Sequence, residues 1–476
     1  MIFLYCKEIF FIVDPDSIRI QNSLTFVNAF QKPNVLVQEL NKDINGGPPS
    51  PKGEGTRVRQ LADHLFRNEA KKMVAVLTKI FGTENLQTAE DVVQDTLLQA
   101  MNIWKLKGIP DNPSGWLFRV AKNKAIDIIR RNKHSLQYDF SDNEKILLTS
   151  EYTVNTAMEN LWKEELIKDD LLRMMFACCH PGISEENQVT LILKTLCGFS
   201  TTEIAKAFLT SEDTISKRLY RTKEFFREHK IKLTIPSVDE IKNRTETVLN
   251  SIYLLYNEGY NSTSSEALIR KDVMKEAMML CQLLTENEHT QLPEVFALMA
   301  LMCYHSSRSD SRLTIDGEII LLPMQDRKKW DKKMIAKGNE YMERSAFGDI
   351  ISSYHLQAAI AYEHCSAQNF KETNWQRILK NYEWLCKISD SPVNELNKIV
   401  AVMEVNGPEK ALQEIENIQD KKKLGSYYLY HSLLGEIYSR LHNSTRAKNY
   451  FETALTLTHS ETERKMLKNK ILALLN

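Results

Sequence analysis

The chain has little cysteine, no long apolar run, and no excess of charge of either sign. Its eight cysteines are scattered without a Cys-x-x-Cys pair, which is typical of reduced thiols and not of a disulfide framework. No apolar run approaches the roughly 18 residues that a membrane span needs. We therefore expect a cytoplasmic protein that does not enter a membrane.

The charge balance excludes a uniformly basic nucleic-acid binder. The 62 basic and 62 acidic residues cancel, so a surface that binds nucleic acid would be local and compensated elsewhere. A chain of 476 residues is also too long for one ordinary domain. We expect several domains, of which only some carry basic surface.

Proline and glycine are few, and they lie between segments with helical periodicity. There are 13 prolines and 16 glycines, and sustained apolar–polar alternation is missing, so the pattern predicts an all-α protein. The predicted helices span 58–81, 88–107, 114–133, 155–178, 185–197, 201–209 and 212–229, with many more over 238–475. The predicted parts are 1–57 (disordered, or an over-long gene start), 58–134, a linker at 135–159, 160–231 and 238–476.

The segment from Ala89 to Arg131 is the most informative in the chain. It has an acidic helix start, a Gly/Pro/Asn-rich loop, and a helix whose polar face is almost entirely basic. The basic residues of this last helix are Arg119, Lys122, Lys124, Arg130, Arg131 and Lys133, and Asp127 is the acid among them. Its apolar positions keep helical spacing, so it has one face to bury and one to offer to phosphates.

A helix-turn-helix pattern follows in the second part. Ser200 and Glu203 form a capping pair at the start of the first helix, and Ile204, Ala205 and Phe208 are its inner side. After a turn at 209–210, Ser211 caps a helix over 212–229. The predicted inner side of this helix is Ile215, Leu219, Thr222 and Phe225 or Phe226, and the predicted outer side is Thr214, Ser216, Lys217, Arg218, Arg221 and Lys223. Such a helix can enter the major groove, although a helical hairpin with a solvated basic face has the same pattern.

The third part contains a repeat signal. Between Tyr430 and Leu457, six residues keep the spacing of a tetratricopeptide repeat, namely Leu434, Gly435, Tyr438, Ala447, Phe451 and Ala454. A weaker unit surrounds Gly407 and Pro408. Helical repeats of this kind bury a core between neighbouring units and normally bind partners.

Two further groups of residues admit a structural or a functional interpretation. His305, Arg308, Arg312, Asp316, Gln325, Asp326 and Arg327 could form a buried ion-pair network or a small anionic-ligand site. We favour the network, because helical repeats often hold insertions in this way. Cys178, Cys179 and His180 are consecutive and point in different directions on a helix, which favours core packing over metal binding. We expect no metal and no cofactor.

Taken in order, three motifs resemble the two domains of an extracytoplasmic-function sigma factor of the sigma-70 family. They are AEDVVQDTLLQA from Ala89, GWLFRVAKNKAIDIIRR from Gly115, and FSTTEIAKAFLTSEDTISKRLYRTKEFFRE from Phe199, and the likeness covers about 58–231. The long helical part after it, with IYLLYNEGY at 252–260, resembles the subgroup with a tetratricopeptide-like C-terminal domain.

The resemblance implies core RNA polymerase and promoter DNA as partners. The segment 89–104 would dock on the clamp coiled coil of the largest polymerase subunit, and the second domain on the flap of the second-largest subunit. Residues implied for polymerase binding are Asp91, Gln94 and Asp95. In the loop 107–115, Asn112 and Ser114 would contact a base flipped from the −10 element, whereas Trp116 is expected in the core. The other −10 residues are Arg119, Lys122, Asn123, Asp127, Arg130 and Arg131. The −35 residues are Thr214, Ser216, Lys217, Arg218, Arg221 and Lys223.

The resulting hypothesis is a non-catalytic transcription initiation factor whose part 238–476 modulates its activity, directly or through an anti-sigma or signalling protein. Two alternatives belong to other classes. A helix-turn-helix regulator that acts without polymerase would leave 89–131 unexplained. An enzyme in the C-terminal part would use the residues from His305 to Asp331, but the sequence offers no nucleophile–base pair or phosphate loop there.

Overall fold

The described part of the chain is helical, as the periodicity predicts. The computed structural model describes residues 54–131, 164–207, 210–231, 233, 238–261, 269–314, 318–389, 391–418, 424–425, 427–458 and 461–474. Within these ranges the extended pairing is confined to an isolated antiparallel bridge between Leu313 and Ile319. The all-α class is therefore confirmed. The expected linker at 135–159 and residues 1–53 lie outside the described residues.

The first part forms three helices. They are α1 Glu54–Phe81, α2 Leu86–Lys107 and α3 Pro113–Arg131, with a 3₁₀ turn Thr83–Asn85 between the first two. The first helix begins at Glu54, four residues before the start predicted at 58. The inner face of α3 is Leu117, Ala121, Ala125, Ile126 and Ile129, which are buried against α1 and α2.

The second part is helical where the structure describes it. Its helices are α4 Glu164–Cys178, α5 Glu185–Thr195, α6 Thr201–Ala207 and α7 Glu212–His229. The side chains of Ser200 and Glu203 cap each other's backbone N–H at the start of α6, with distances of 3.1 and 2.8 Å. Ser211 caps α7 by accepting from the Thr214 N–H at 3.2 Å.

The predicted inner faces of the helix-turn-helix are buried where the structure describes them. Ile215, Leu219, Thr222 and Phe226 of α7 are buried, whereas Phe225 is half-buried, so Phe226 is the inner phenylalanine. Ile204 and Ala205 of α6 are buried as well, and Phe208 lies outside the described residues.

The third part is a series of antiparallel helices. They are α8 Val238–Tyr260, α9 Lys271–Glu286, α10 Pro293–Ser307, α11 Lys332–Arg344, α12 Ser353–Ser366, α13 Trp375–Ile388, α14 Pro392–Asn406, α15 Pro408–Glu416, α16 Tyr428–Arg440, α17 Ser444–Leu457 and α18 Glu461–Ala473. Helices that are neighbours in sequence pack on each other, as in α8 with α9 and α16 with α17. Within the described residues no helix combines the length and apolarity needed to cross a bilayer.

The pairing of α16 and α17 shows why the small and large residues of the repeat signal are spaced as they are. Gly435 lies against Phe451, and a Cβ atom on Gly435 would be only 2.6 Å from the phenyl ring. Leu434, Tyr438, Ala447 and Ala454 are buried in the same hairpin. The missing side chain at 435 therefore lets the two helices approach closely.

The three parts share one apolar core. Buried residues of α1, α4, α5, α7, α8 and α9 belong to a single contiguous cluster, with a smaller cluster between α12, α13 and α14. Helix α1 packs on α4, and α5 packs on α8, so apolar contact crosses both predicted domain boundaries. The parts that the sequence separates are thus packed together.

The polar residues between His305 and Arg327 lie mostly inside the protein. His305, Arg308, Arg312, Gln325 and Arg327 are buried, Asp326 is exposed, and Asp316 lies outside the described residues. Arg327 donates to the carbonyls of His364 (2.8 Å) and Ala367 (3.2 Å) and to the Thr373 hydroxyl (2.9 Å). Arg312 stacks 3.8 Å above the Tyr260 ring. These contacts tie four segments of the third part together.

The cysteine pair near the end of α4 packs in the core. Cys178 and Cys179 are buried, and desolvation by burial raises the pKa of Cys178 to about 12 and that of Cys179 well above its usual value. Metal ligation requires thiolates, which this burial disfavours. No group of three or more His, Cys, Asp or Glu side chains suited to a metal occurs among the described residues.

Candidate polymerase and nucleic-acid interface

Helix α2 has an acidic outer face. Asp91, Gln94 and Asp95 are exposed, whereas Val92, Val93 and Thr96 on the opposite side are buried. The Asp91 carboxylate accepts a hydrogen bond from the Gln87 amide at 2.8 Å, and Asp95 lies 3.8 Å from the Lys124 ammonium of α3. The structure therefore presents the three residues expected to bind polymerase on one accessible surface.

The loop before α3 is held by Asn112. Its side-chain oxygen accepts from the Gly115 N–H at 2.8 Å, which caps the helix, and Pro113 suits the first helical turn. A Cβ atom at Gly115 would lie 2.7 Å from the Asn112 amide nitrogen, so any other residue here would require the Asn112 side chain to shift. Asn112 is exposed and Ser114 is half-buried, so the two expected base contacts flank the helix start.

Two apolar side chains of this loop region were missed by the sequence reasoning. Leu106 is 84% exposed and Ile109 is 60% exposed. Exposed aliphatic groups beside a capped helix start offer an apolar surface on which an unstacked base can pack. The signal in the sequence was an aliphatic residue on each side of Lys107 and Gly108, next to the Gly/Pro/Asn-rich loop.

Trp116 is half-buried and packs on the core, as expected. Its ring meets Trp104 of α2 edge-on at 5.5 Å, and Trp104 stacks on Phe66 of α1 at 5.7 Å. This aromatic group joins the three helices of the first part and holds the start of α3 in place. Trp116 therefore contributes to the position of the loop through packing.

The outer face of α3 is basic and accessible. Arg119, Asn123, Asp127, Arg130 and Arg131 are exposed, and Lys122 is half-buried. The Arg130 guanidinium lies 4.0 Å from the Asp127 carboxylate, in a solvated pair that is worth little energetically. The helix thus offers several cations along one side, next to the acidic face of α2.

The six expected −35 residues lie on three different sides of α7. Lys217 and Arg221 are exposed on the outer side, and the Lys217 ammonium is 2.7 Å from Asp213. Arg218 turns toward α5 and pairs with Glu186 at 2.5 Å. The Thr214 hydroxyl is 2.8 Å from that of Ser211.

Of the remaining two, Ser216 is exposed, and Lys223 reaches the first part. The Lys223 ammonium contacts the Glu90 carboxylate of α2 and donates to the Gln87 amide oxygen at 2.8 Å. One expected −35 residue is therefore bound to the helix that carries the expected polymerase face.

Tyr220 is an exposed aromatic residue on α7 that the sequence reasoning did not select. It is 61% exposed, and its hydroxyl donates to the Glu224 carboxylate at 2.9 Å. It lies one turn after Ser216, and this spacing of four residues places both side chains on the same face of the helix, which the sequence already indicated. Its exposed ring can pack on a thymine methyl group.

A groove of about 590 Å³ lies between α2 and α7. Its lining includes apolar side chains of α1, α2 and α7 and two lysines, among them Phe66, Leu97, Met101, Lys194, Leu219 and Lys223. Burial lowers the pKa of Lys194, against the opposing effect of Glu90. Gln94, Ser216 and Tyr220 are also among the residues that line the groove.

Comparison with known proteins defines the class. Residues 65–135 match the model of sigma-70 region 2, which contains α2, α3 and the loop between them. Over 166 residues the chain is 24% identical to RNA polymerase sigma factor YlaC of Bacillus subtilis, which covers 35% of this chain and 89% of that protein. Sigma-70 region 2 belongs to a family of non-enzymatic transcription factors.

The chain is also similar to a protein over most of its length. It is 30% identical over 379 residues to uncharacterized protein R00370 of Rhizobium meliloti, which covers 80% of this chain and 88% of that protein. Residues 244–346 match a family of unknown function, DUF6596. No solved structure matches the chain. The chain therefore contains a stretch similar to sigma-70 region 2, and it belongs to the same family as R00370.

Proposed function

We propose that this protein is a sigma factor that binds core RNA polymerase and directs it to a specific set of promoters. The observation that carries the proposal is the first part, where the exposed acidic face of α2 and the exposed basic face of α3 adjoin within the segment that matches region 2. An acidic face suits a basic groove on a protein partner, and a basic helix suits DNA phosphates. One small domain can thus bind polymerase and promoter together.

The same domain has the parts needed to hold an opened strand. Unstacking a base costs a few kcal/mol, so the open strand needs phosphate contacts and a surface for the displaced base. Arg119, Lys122, Arg130 and Arg131 supply cations along α3. The loop with Asn112, Ser114 and the exposed Ile109 lies at the end of this basic face, where it would receive the base.

The outer face of α7 supports contact with the −35 element. We expect Arg221→Ala to weaken binding to a selected −35 duplex by about 1–3 kcal/mol, because an arginine on a guanine edge contributes about this much. Arg218→Ala should have a smaller effect, because Arg218 turns sideways and pairs with Glu186. Binding would be measured on a duplex selected from a random pool by the full chain with core polymerase.

The control for this experiment is Arg227→Ala in the last turn of α7. Arg227 is exposed and lies 3.7 Å from Glu224, so its loss removes the same charge beyond the expected contact region. A larger loss of affinity for Arg218→Ala than for Arg221→Ala would contradict the assignment of the outer face.

Run-off transcription with core polymerase tests the function. Full-length protein should give initiation at discrete sites on templates recovered by the selection, and core polymerase alone should not. Because the acidic face would hold polymerase, Asp91→Lys with Asp95→Lys should abolish the product while far-UV circular dichroism stays unchanged. Specific duplex binding without any polymerase-dependent product would instead indicate a helix-turn-helix regulator.

Contacts between the parts support modulation by residues 238–476. Glu276 of α9 pairs with Lys71 of α1 at 2.5 Å, and Arg270, just before α9, pairs with Glu203 of α6 at 3.2 Å. One helix thus contacts both parts that would bind DNA. A partner that moves α9 would change how these parts are held, and the proposed site of action is the cytoplasm, where polymerase and promoters meet.

A further inference from the structure

The groove between α2 and α7 is lined mainly by apolar side chains. The helices α1, α2 and α7 contribute, among others, Phe66, Val93, Leu97, Leu98, Met101 and Leu219. Its volume of about 590 Å³ lies in the range of about 300–1,000 Å³ that is usual for pockets that bind small molecules. Such pockets combine an apolar lining with a few polar groups that orient the ligand, and this groove has the same composition.

The charge of the groove is not balanced. The charged residues that line it in the described part of the chain are Glu90, Lys194 and Lys223, which gives a net charge of +1. The Glu90 carboxylate contacts the Lys223 ammonium. Lys194, in the last turn of α5, is half-buried, and within the described residues its ammonium has no hydrogen bond or ion pair. Glu203 also acts on Lys194 electrostatically, but its carboxylate is paired with Arg270.

The charged part and the apolar part of the groove are separated along α2. Glu90 and Met101 both line the groove, and about three helical turns, or about 16 Å at 1.5 Å per residue, lie between them. Beyond Met101, Trp104 stacks on Phe66, which belongs to the same lining. An extended alkyl chain advances about 1.3 Å per carbon, because a C–C bond is about 1.5 Å long. About a dozen carbons therefore span the groove.

We propose that this groove binds an amphipathic monoanion, namely a linear chain of about a dozen carbons that ends in a carboxylate, as in a fatty acid. The carboxylate pairs with Lys194, and the chain lies on the apolar side chains toward Met101 and Phe66. A hydrogen bond between two charged groups is stronger than one between neutral groups, so Lys194 selects the head group. The net charge suits a carboxylate better than a phosphate monoester, whose charge is about −1.5 to −2 at neutral pH.

The site would give the protein a small-molecule effector. Gln94, Ser216 and Lys223 line the same groove, and they are among the residues expected to contact polymerase or the −35 element. A bound chain would cover them, so it should lower the yield of run-off transcript. This consequence rests on the proposed function, whereas binding of the chain does not.

Titration calorimetry of the full chain with dodecanoate, below the concentration at which it forms micelles, tests the site. Dodecanol and dodecyltrimethylammonium, which have the same chain with a neutral or a cationic head, should bind about tenfold to a hundredfold more weakly. Lys194→Met keeps the apolar stem of the side chain, and it should remove the preference for dodecanoate over dodecanol. Lys398→Met changes a lysine outside the groove whose side chain is 24% exposed, and it should leave that preference intact.

A comparison of chain lengths locates the apolar end. Octanoate extends about 10 Å and does not reach Met101, so it should bind more weakly than dodecanoate, by up to about fourfold for each missing methylene. Met101→Gln keeps the length of the side chain but makes it polar, and it should reduce this difference without changing octanoate binding.

Three results would overturn the site: equal affinity for dodecanoate and dodecanol, an unchanged head-group preference in Lys194→Met, or no binding of dodecanoate. The last is also the result expected if a second copy of the chain covers the groove. The preference is a ratio measured within one protein, so a loss of stability in a variant does not alter it, and Lys194→Gln repeats the measurement if Lys194→Met fails to fold. Calorimetry requires neither polymerase nor promoter, so failure of run-off transcription leaves these results independent.

Discussion

Lys71→Met is expected to lower the free energy of unfolding by about 3–5 kcal/mol, because it leaves a buried carboxylate without its cation. Lys71 and Glu276 are 2.5 Å apart, and their side chains are 1% and 6% exposed. This pair joins α1 of the region 2 part to α9 of the third part. In the variant, the backbone amides of α1 and α9 should therefore lose their protection from hydrogen exchange at a lower urea concentration. Hydrogen exchange measured at increasing urea concentrations checks this.

Two further variants test whether the lost stability of Lys71→Met comes from the broken pair with Glu276. Lys71→Met with Glu276→Leu removes both charges, and it should recover most of the lost stability, since an apolar pair of similar volume is often as stable as a buried ion pair. Lys168→Met breaks a pair with Glu286 whose side chains are 49% and 44% exposed, and it should cost at most about 1 kcal/mol. Equal costs for Lys71→Met and Lys168→Met would argue against the buried pair as a stabilising link.

Phe451→Ala is expected to destabilise the C-terminal hairpin by about 3–5 kcal/mol, because it opens a cavity between α16 and α17. Phe451 is 1% exposed and lies against Gly435. Gly435→Ala alone should cost about 1–3 kcal/mol, because the new Cβ atom would be 2.6 Å from the phenyl ring. Both effects are measured by heating the protein and recording the hydrogen exchange of the backbone amides of α16 and α17.

The double variant gives the sharper result. With alanine at both positions the added methyl group occupies part of the cavity, so the combined cost should be smaller than the sum of the single costs. Strict additivity would mean that the two residues do not pack against each other. Ala447 in the same hairpin is buried but carries no ring, so Ala447→Gly supplies a control of small volume change.

Local features of the candidate site followed from the sequence because they depend on short-range rules. Capping by Ser200, Glu203 and Ser211 needs only residues three positions apart, and the inner face of α7 needs only the helical period. The exposed acidic and basic faces of α2 and α3 follow from the same period. Each of these features is set by neighbours within one or two helical turns.

The polar cluster near His305 has hydrogen-bond partners that could not be predicted from the sequence. A buried network was the favoured expectation, and the structure buries His305, three arginines and Gln325. Arg327, however, donates to carbonyls of α12 and its end and to the hydroxyl of Thr373. Carbonyl acceptors are present at every residue, so no pattern of side chains could reveal which ones would be used.

The sequence alone was sufficient for the all-helical class and for which side chains lie on the outer and inner faces of α2, α3 and α7, since periodicity and capping act within a few residues. Only the tertiary structure decided that these parts share one core and that Lys223 meets Glu90, 133 positions away in the chain. It also decided that Arg218 turns from the outer face toward Glu186. The physical reason is that each helix has several polar flanks, and only the packing of its buried face against distant helices determines where those flanks point.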